Sequence, residues 1–257
     1  MREWMISEWE RVWARRKTRV LLVVFPVVVF LLEQLNLRFG VGFYDADHTA
    51  PLNVLNFPVF SLRDLSFLIT FIIAPLFWVD SFSGEAASGA YRMVLLRPYS
   101  RGKMLMAKWL VQAGLSLGIL LIPFVMSQMV GWVSLPHPES VSFFYEGIET
   151  YGTSGALLYH LGFYGWIYLI LLACLGVCGT VGVVMPNGVL AFIGYVGVLI
   201  GMIYVSDSLL ILVISVEEVF KLMASASDPA VFYALFGTLA ISAAALWGIW
   251  TRKDWVH

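Results

Sequence analysis

The chain has 257 residues, 60% of them hydrophobic and only 13% charged, with a mean hydropathy of +0.83. A soluble domain averages about 45–50% apolar and about 25% charged residues, and a globule of this length cannot cover its outside with so few charges, so a water-soluble monomer is excluded. The net charge of −1 points to no nucleic-acid partner, and how that charge is distributed matters more than its sum.

Residues 1–19, MREWMISEWERVWARRKTR, are charged before any apolar run begins, and no small-residue cleavage site follows closely, so they are not read as a removable secretory signal. Met5, Trp9, Val12 and Trp13 recur at helical spacing, with Glu3, Glu10, Arg11 and Arg15 on other faces. That pattern predicts an interfacial elbow helix lying in the headgroup plane, anchored by Trp4, Trp9 and Trp13.

A helix needs roughly 20 residues to cross about 30 Å of hydrocarbon. Uncharged stretches of that length predict spans at about 20–37, 64–82 and 107–132. From Thr150 to Ser206 there is no Asp, Glu, Lys or Arg. As one helix this stretch would reach roughly 85 Å, so it must fold back, and Pro186-Asn187-Gly188 is its strong turn signal. Spans at 157–184 and 188–205 follow, and 229–251 makes the sixth. Segments 38–63 and 132–156 read as capping loops. Leu209–Val216 is apolar but too short to span, which predicts a re-entrant or interfacial segment over 206–228.

The Lys/Arg rule then orients the chain with both termini cytoplasmic. All but three of the 16 basic residues (Arg38, Arg63 and Lys221) fall inside, while most acids fall outside. Cys174 and Cys178, four apart in an apolar run, read as helix packing and not as a redox or zinc motif.

No enzyme motif is present. Gly102-Lys103 is followed by Met104 and lacks the upstream glycine of a phosphate-binding loop, so ATP is not expected to bind this chain. There is no His-Glu-x-x-His, and His48, His137, His160 and His257 are scattered, so no metal is expected. His160 reads as an interfacial histidine at a span start. Glu33 and Asp80 lie near span ends, where carboxylates reach the headgroups cheaply, although an intramembrane charge is also a functional hint.

The most informative stretch is SGEAASGAYRMVLLRPYSRGKMLMAKWL, Ser83 to Leu110. Residues 86–96 can form a short amphipathic helix, Pro98 stops it, and Tyr99-Ser100-Arg101-Gly102 turns into the third span. A helix held between two spans in this way, over the loop 83–103, suits a cytoplasmic partner.

Asp80, Glu85, Gly89, Leu95, Leu96, Pro98, Ser100, Arg101 and Lys108 occur in an order that resembles the membrane subunits of type-2 ABC transporters (ABC-2 type permeases), and Trp250-Thr251-Arg252-Lys253-Asp254 resembles their tails. The resemblance implies an all-α polytopic protein with six spans, an elbow helix and a cytoplasmic coupling helix between spans 2 and 3, in a multi-pass topology in a prokaryotic plasma membrane. It further implies a separate cytoplasmic ATPase dimer that binds the ATP and Mg, docking through Glu85, Gly89, Arg92, Arg97, Pro98, Ser100 and Arg101. A second permease subunit, identical or homologous, would meet this one across the first and fifth spans, where Gly194, Gly197 and Gly201 have the small-residue spacing of close helix contacts.

Few charges with many aromatics and methionines point to an amphiphilic cargo such as a lipid, a drug or a hydrophobic peptide. The competing readings are a non-transporting membrane anchor or assembly protein that docks a soluble partner, and, third, an intramembrane enzyme.

Overall fold

The computed structural model describes residues 1–45, 47–84, 100–144 and 150–253. In chain order these form α1 (Arg2–Ala14), α2 (Arg16–Phe39), a hairpin of β1 (Val41–Phe43) and β2 (Thr49–Pro51), α3 (Phe57–Gly84), α4 (Arg101–Ser134), α5 (Thr153–Val184), α6 (Gly188–Ile203), a 3-10 turn (Asp207–Leu212), α7 (Ser215–Met223) and α8 (Pro229–Arg252). Helices α2, α3, α4, α5 and α8 are long and apolar enough to cross a membrane, so the chain is an all-α membrane protein. Helix α6 has 16 residues, about 24 Å at 1.5 Å per residue, and is shorter than the other five.

Helix ends follow local chemistry more than charge. Helix α3 starts at Phe57, ahead of the expected 64, because an asparagine turn launches it: Asn53 Oδ1 accepts from the backbone N–H groups of Leu55 and Asn56 at 2.9 and 3.0 Å. Pro58 then sits in the first turn, where its missing N–H costs nothing. Arg63 and Asp64, read as a span edge, therefore lie on the helix. Helix α4 starts at Arg101 because the Ser100 side chain caps it, and α6 starts after Asn187, whose side chain accepts from Leu190 N–H at 2.9 Å.

Helix α3 is not regular. Ile69–Ile73 and Asp80–Gly84 are wide π turns. Pro75 has no N–H to give the Phe71 carbonyl, and its ring crowds that turn, which widens the helix just before it.

Helices α3 and α5 form the centre, with 72% and 67% of their apolar stretches buried, against 17% and 22% for α2 and α8. Among the described residues the most extensive helix contact is α5 with α8, where Gly176 faces Ser242 so tightly that a Cβ would strike the serine side chain. Thr180 adds a cross-helix hydrogen bond from its hydroxyl to the Ser242 carbonyl at 3.1 Å. The buried Trp78 indole donates to Ser116 Oγ at 3.0 Å, joining α3 to α4, and Tyr195 OH donates to the Thr70 carbonyl at 3.0 Å, joining α6 to α3. Cys174 and Cys178 are free and buried on α5.

The hairpin closes one end of the bundle. Tyr44 packs edge-on against Phe60 and Phe220 with ring centroids 4.9 and 5.2 Å apart, and Phe163 meets Phe220 at 4.9 Å. Tyr44 OH donates to the Ser142 carbonyl at 2.9 Å, and burial pushes this phenol up to about 12, so it stays a donor. Helix α7 buries Val216, Val219, Phe220 and Leu222, while Lys221 pairs with Glu217 and Glu218 at 3.2 and 2.9 Å. The 206–228 segment is thus a folded cover packed on α3 and α5.

Candidate functional site at the basic end of the bundle

The end opposite the hairpin gathers α1, the starts of α2 and α4, and the ends of α3 and α8. Helix α1 has an inward face made by Glu8 and Val12, and an outward face carrying Trp9 and Trp13, whose rings lie 5.8 Å apart. Trp4 is half-buried. The aromatic and aliphatic members of the predicted stripe therefore divide: Val12 turns into the bundle and the two exposed indoles turn away from it.

The inward face carries an ion pair. Lys108 Nζ of α4 lies 2.8 Å from Glu8 Oε2, with side-chain exposures of 0% and 2%, and Arg11 reaches the other Glu8 oxygen at 3.1 Å. A buried lysine is tolerated only when its charge is matched and hydrogen-bonded. Glu8 supplies both, and in doing so ties α1 to α4 across 100 residues of sequence.

A second tie joins α4 to α8. Arg101 Nη1 donates to the carbonyls of Thr251 and Lys253, both at 3.1 Å. These carbonyls belong to the last turn of α8, where no intrahelical donor remains and the helix dipole favours a cation. In return the fully buried Trp250 donates its indole N–H to the Arg101 carbonyl at 3.1 Å. Gly102 lets Trp247 approach, since a Cβ there would lie 2.7 Å from the indole Cη2. Lys253 reaches the Val183 carbonyl at the end of α5. A third tie is Lys17 of α2 with Asp80 of α3 at 3.1 Å, on the π turn that ends at Gly84.

These ties bracket the stretch that the sequence singles out. Glu85, Gly89, Arg92, Arg97 and Pro98, and the short helix expected at 86–96, lie outside the described residues. Of the remaining docking candidates, Ser100 is the cap of α4 and Arg101 points inward to α8, so both fix the start of α4. Of the three glycines on α6, Gly194 packs inside the protomer, with a Cβ 2.9 Å from Val181 Cγ1, whereas Gly197 and Gly201 are exposed with open space beside them.

Two intramembrane polar groups differ from expectation. His160, read as an interfacial histidine, is buried within the protein: its Nε2 lies 2.7 Å from the Leu55 carbonyl and its Nδ1 2.9 Å from Gln128 Nε2. Glu33 is fully buried and does not reach the headgroups, because the face of α2 that carries Phe25, Val29 and Glu33 packs against the bundle. Among the described residues no cluster of three or more His, Cys, Asp or Glu side chains could hold a metal. Compared with protein-family models and with curated proteins, the chain matches none.

Proposed function

We propose that this chain is the membrane subunit of an ABC exporter, of the ABC-2 permease type, driven by a separate cytoplasmic ATPase dimer that binds ATP and Mg. In this reading α1 is the elbow helix, α6 is the fifth of six crossings, both termini are cytoplasmic, and the membrane is a prokaryotic plasma membrane. The observation that carries the reading is the basic end itself. Residues 85–99 run from the end of α3 to the cap of α4, and both of those helix ends are tied to other helices by Lys17–Asp80, Glu8–Lys108 and Arg101–Thr251 contacts. A push delivered at either of those helix ends is therefore passed on to the neighbouring helices. A partner moves such an equilibrium only through its differential affinity for two states, which nucleotide-driven closure of an ATPase dimer can supply.

An amphiphilic cargo is supported by a lateral groove of about 500 Å³ between α5, α6 and α8, walled by Val177, Val181, Val198, Tyr233 and Ile241. The exposed Gly197 and Gly201 face supports contact with a second permease subunit.

A tagged full-length chain should co-purify with an ATPase whose turnover depends on this subunit. Substituting Glu85 or Arg97 by Ala should lower that dependence while the subunit stays folded. Arg101 is less suitable, because its loss also frees the end of α8. Co-purification of a partner whose ATP turnover ignores this chain would favour the membrane anchor and overturn the transporter.

A further inference from the structure

Among the described residues the least compensated charged group is Glu33. Its side chain has no exposed surface, and both carboxylate oxygens lack a hydrogen-bond partner. The polar groups around it come from three elements. Helix α3 sets the Ser61 hydroxyl toward it, and Ser61 Oγ is likewise buried without a hydrogen bond. Helix α5 contributes the phenol of Tyr164, whose proton is already given to the Pro58 carbonyl at 3.0 Å. Helix α4 reaches this region through Ser127, which lies against the Tyr164 phenol and donates to the Phe124 carbonyl at 3.1 Å. The hairpin strand β1 brings no titratable side chain, and α1 packs against the opposite end of α2. Among the described residues no cation faces Glu33.

An ionised carboxylate in that setting forfeits its hydration with nothing in exchange, and such a group takes up a proton instead. Access is also present. Glu33 lies six residues before the end of α2, roughly 9 Å along the axis, and a cavity of about 220 Å³ between α2, α3 and the hairpin has Asn36, Ser61, Arg63 and Asp64 among its otherwise apolar walls. Ser61 thus belongs both to the cavity wall and to the surroundings of Glu33. Arg63 stands over the Phe43 ring at 5.4 Å and Asp64 is exposed, so the polar side of this cavity leads outward.

We propose that Glu33 is a buried proton-binding site, holding a proton near neutral pH and exchanging it with water at the hairpin end through the Ser61 cavity. This does not depend on the transport reading. The neutral acid is what lets α2 pack there. At alkaline pH the proton leaves to hydroxide in the cavity and a buried anion remains.

The test uses full-length protein in liposomes. Dicyclohexylcarbodiimide, an apolar reagent that adds to protonated carboxyls, should modify Glu33 near neutral pH, as mapped by peptide mass spectrometry. Labelling should be lost in alkaline buffer, and the exposed Asp47 and Asp64 should stay unmodified. The infrared carbonyl band of a protonated acid should be present in the wild type and absent from Glu33→Gln. Should Glu33→Gln fail to fold, the wild-type labelling profile against pH decides alone. Absence of labelling at Glu33 near neutral pH would overturn the proposal. So would suppression of labelling by sodium at constant pH, which would make the site one for a metal cation.

Discussion

Replacing Glu8 by Gln removes the charge opposite a lysine that has no exposed surface. Breaking a buried pair on one side costs about 3–5 kcal/mol. The Arg11 contact adds little, because the Arg11 side chain is 36% exposed and a partly solvated pair is worth about 0–1 kcal/mol. At about 2–4 °C per kcal/mol for a chain of this size, the variant should melt roughly 6–20 °C lower, read by size-exclusion fluorescence after heating in detergent. Lys108→Met alone should cost less than Glu8→Gln, since Arg11 still reaches the Glu8 carboxylate at 3.1 Å. The two together remove both charges and should be much less damaging than their sum, giving a coupling of about 2 kcal/mol or more between positions 8 and 108. If the two losses simply add, to within about 0.5 kcal/mol, the pair does not join α1 to α4 and the account of the basic end is wrong.

Two further predictions concern glycines. Gly176→Ala pushes a methyl into Ser242 at the α5–α8 contact and should destabilise by about 1–3 kcal/mol. Gly114→Ala, on α4 with nothing within 4 Å, should be neutral or stabilise by up to about 1 kcal/mol; equal melting temperatures for the two would contradict the helix contact. Gly197→Leu with Gly201→Leu should leave the protomer's melting temperature unchanged, because both positions face open space. It should abolish any dimer detected by light scattering, and an unaltered oligomer would exclude this face as the contact between subunits.

Apolar run length made the long helices legible, and the Pro186-Asn187-Gly188 turn was legible because Asn187 does what its chemistry allows, capping α6. The starts of α3 and α4 were harder, since Asp64 read as a span edge and Arg101 and Lys103 as part of a loop, although the helices run through them. The ties at the basic end join residues separated by 63 to 152 positions, and no local pattern announces such a partner. Glu33 shows the same limit from the other side. Its place near a span end was plain, but whether it faces headgroups or protein depends on which stripe of α2 packs inward, and that is decided by packing against other helices, which leaves Ser61 and Tyr164 beside it. The two π turns had one visible cause in Pro75; for the turn at Asp80–Gly84 the sequence offers no comparable signal.

Those wide turns give α3 a mechanical property that its length alone would not. Each holds one residue more than an α-helical turn would, so the helix carries slack along its own axis. Relaxing the Asp80–Gly84 turn into regular α-helix would advance its end by about 1.5 Å and swing it by about 100°, while the Trp78 indole, hydrogen-bonded to Ser116, held the shaft in place. The end of α3 therefore stores one residue of length beside the Lys17–Asp80 pair.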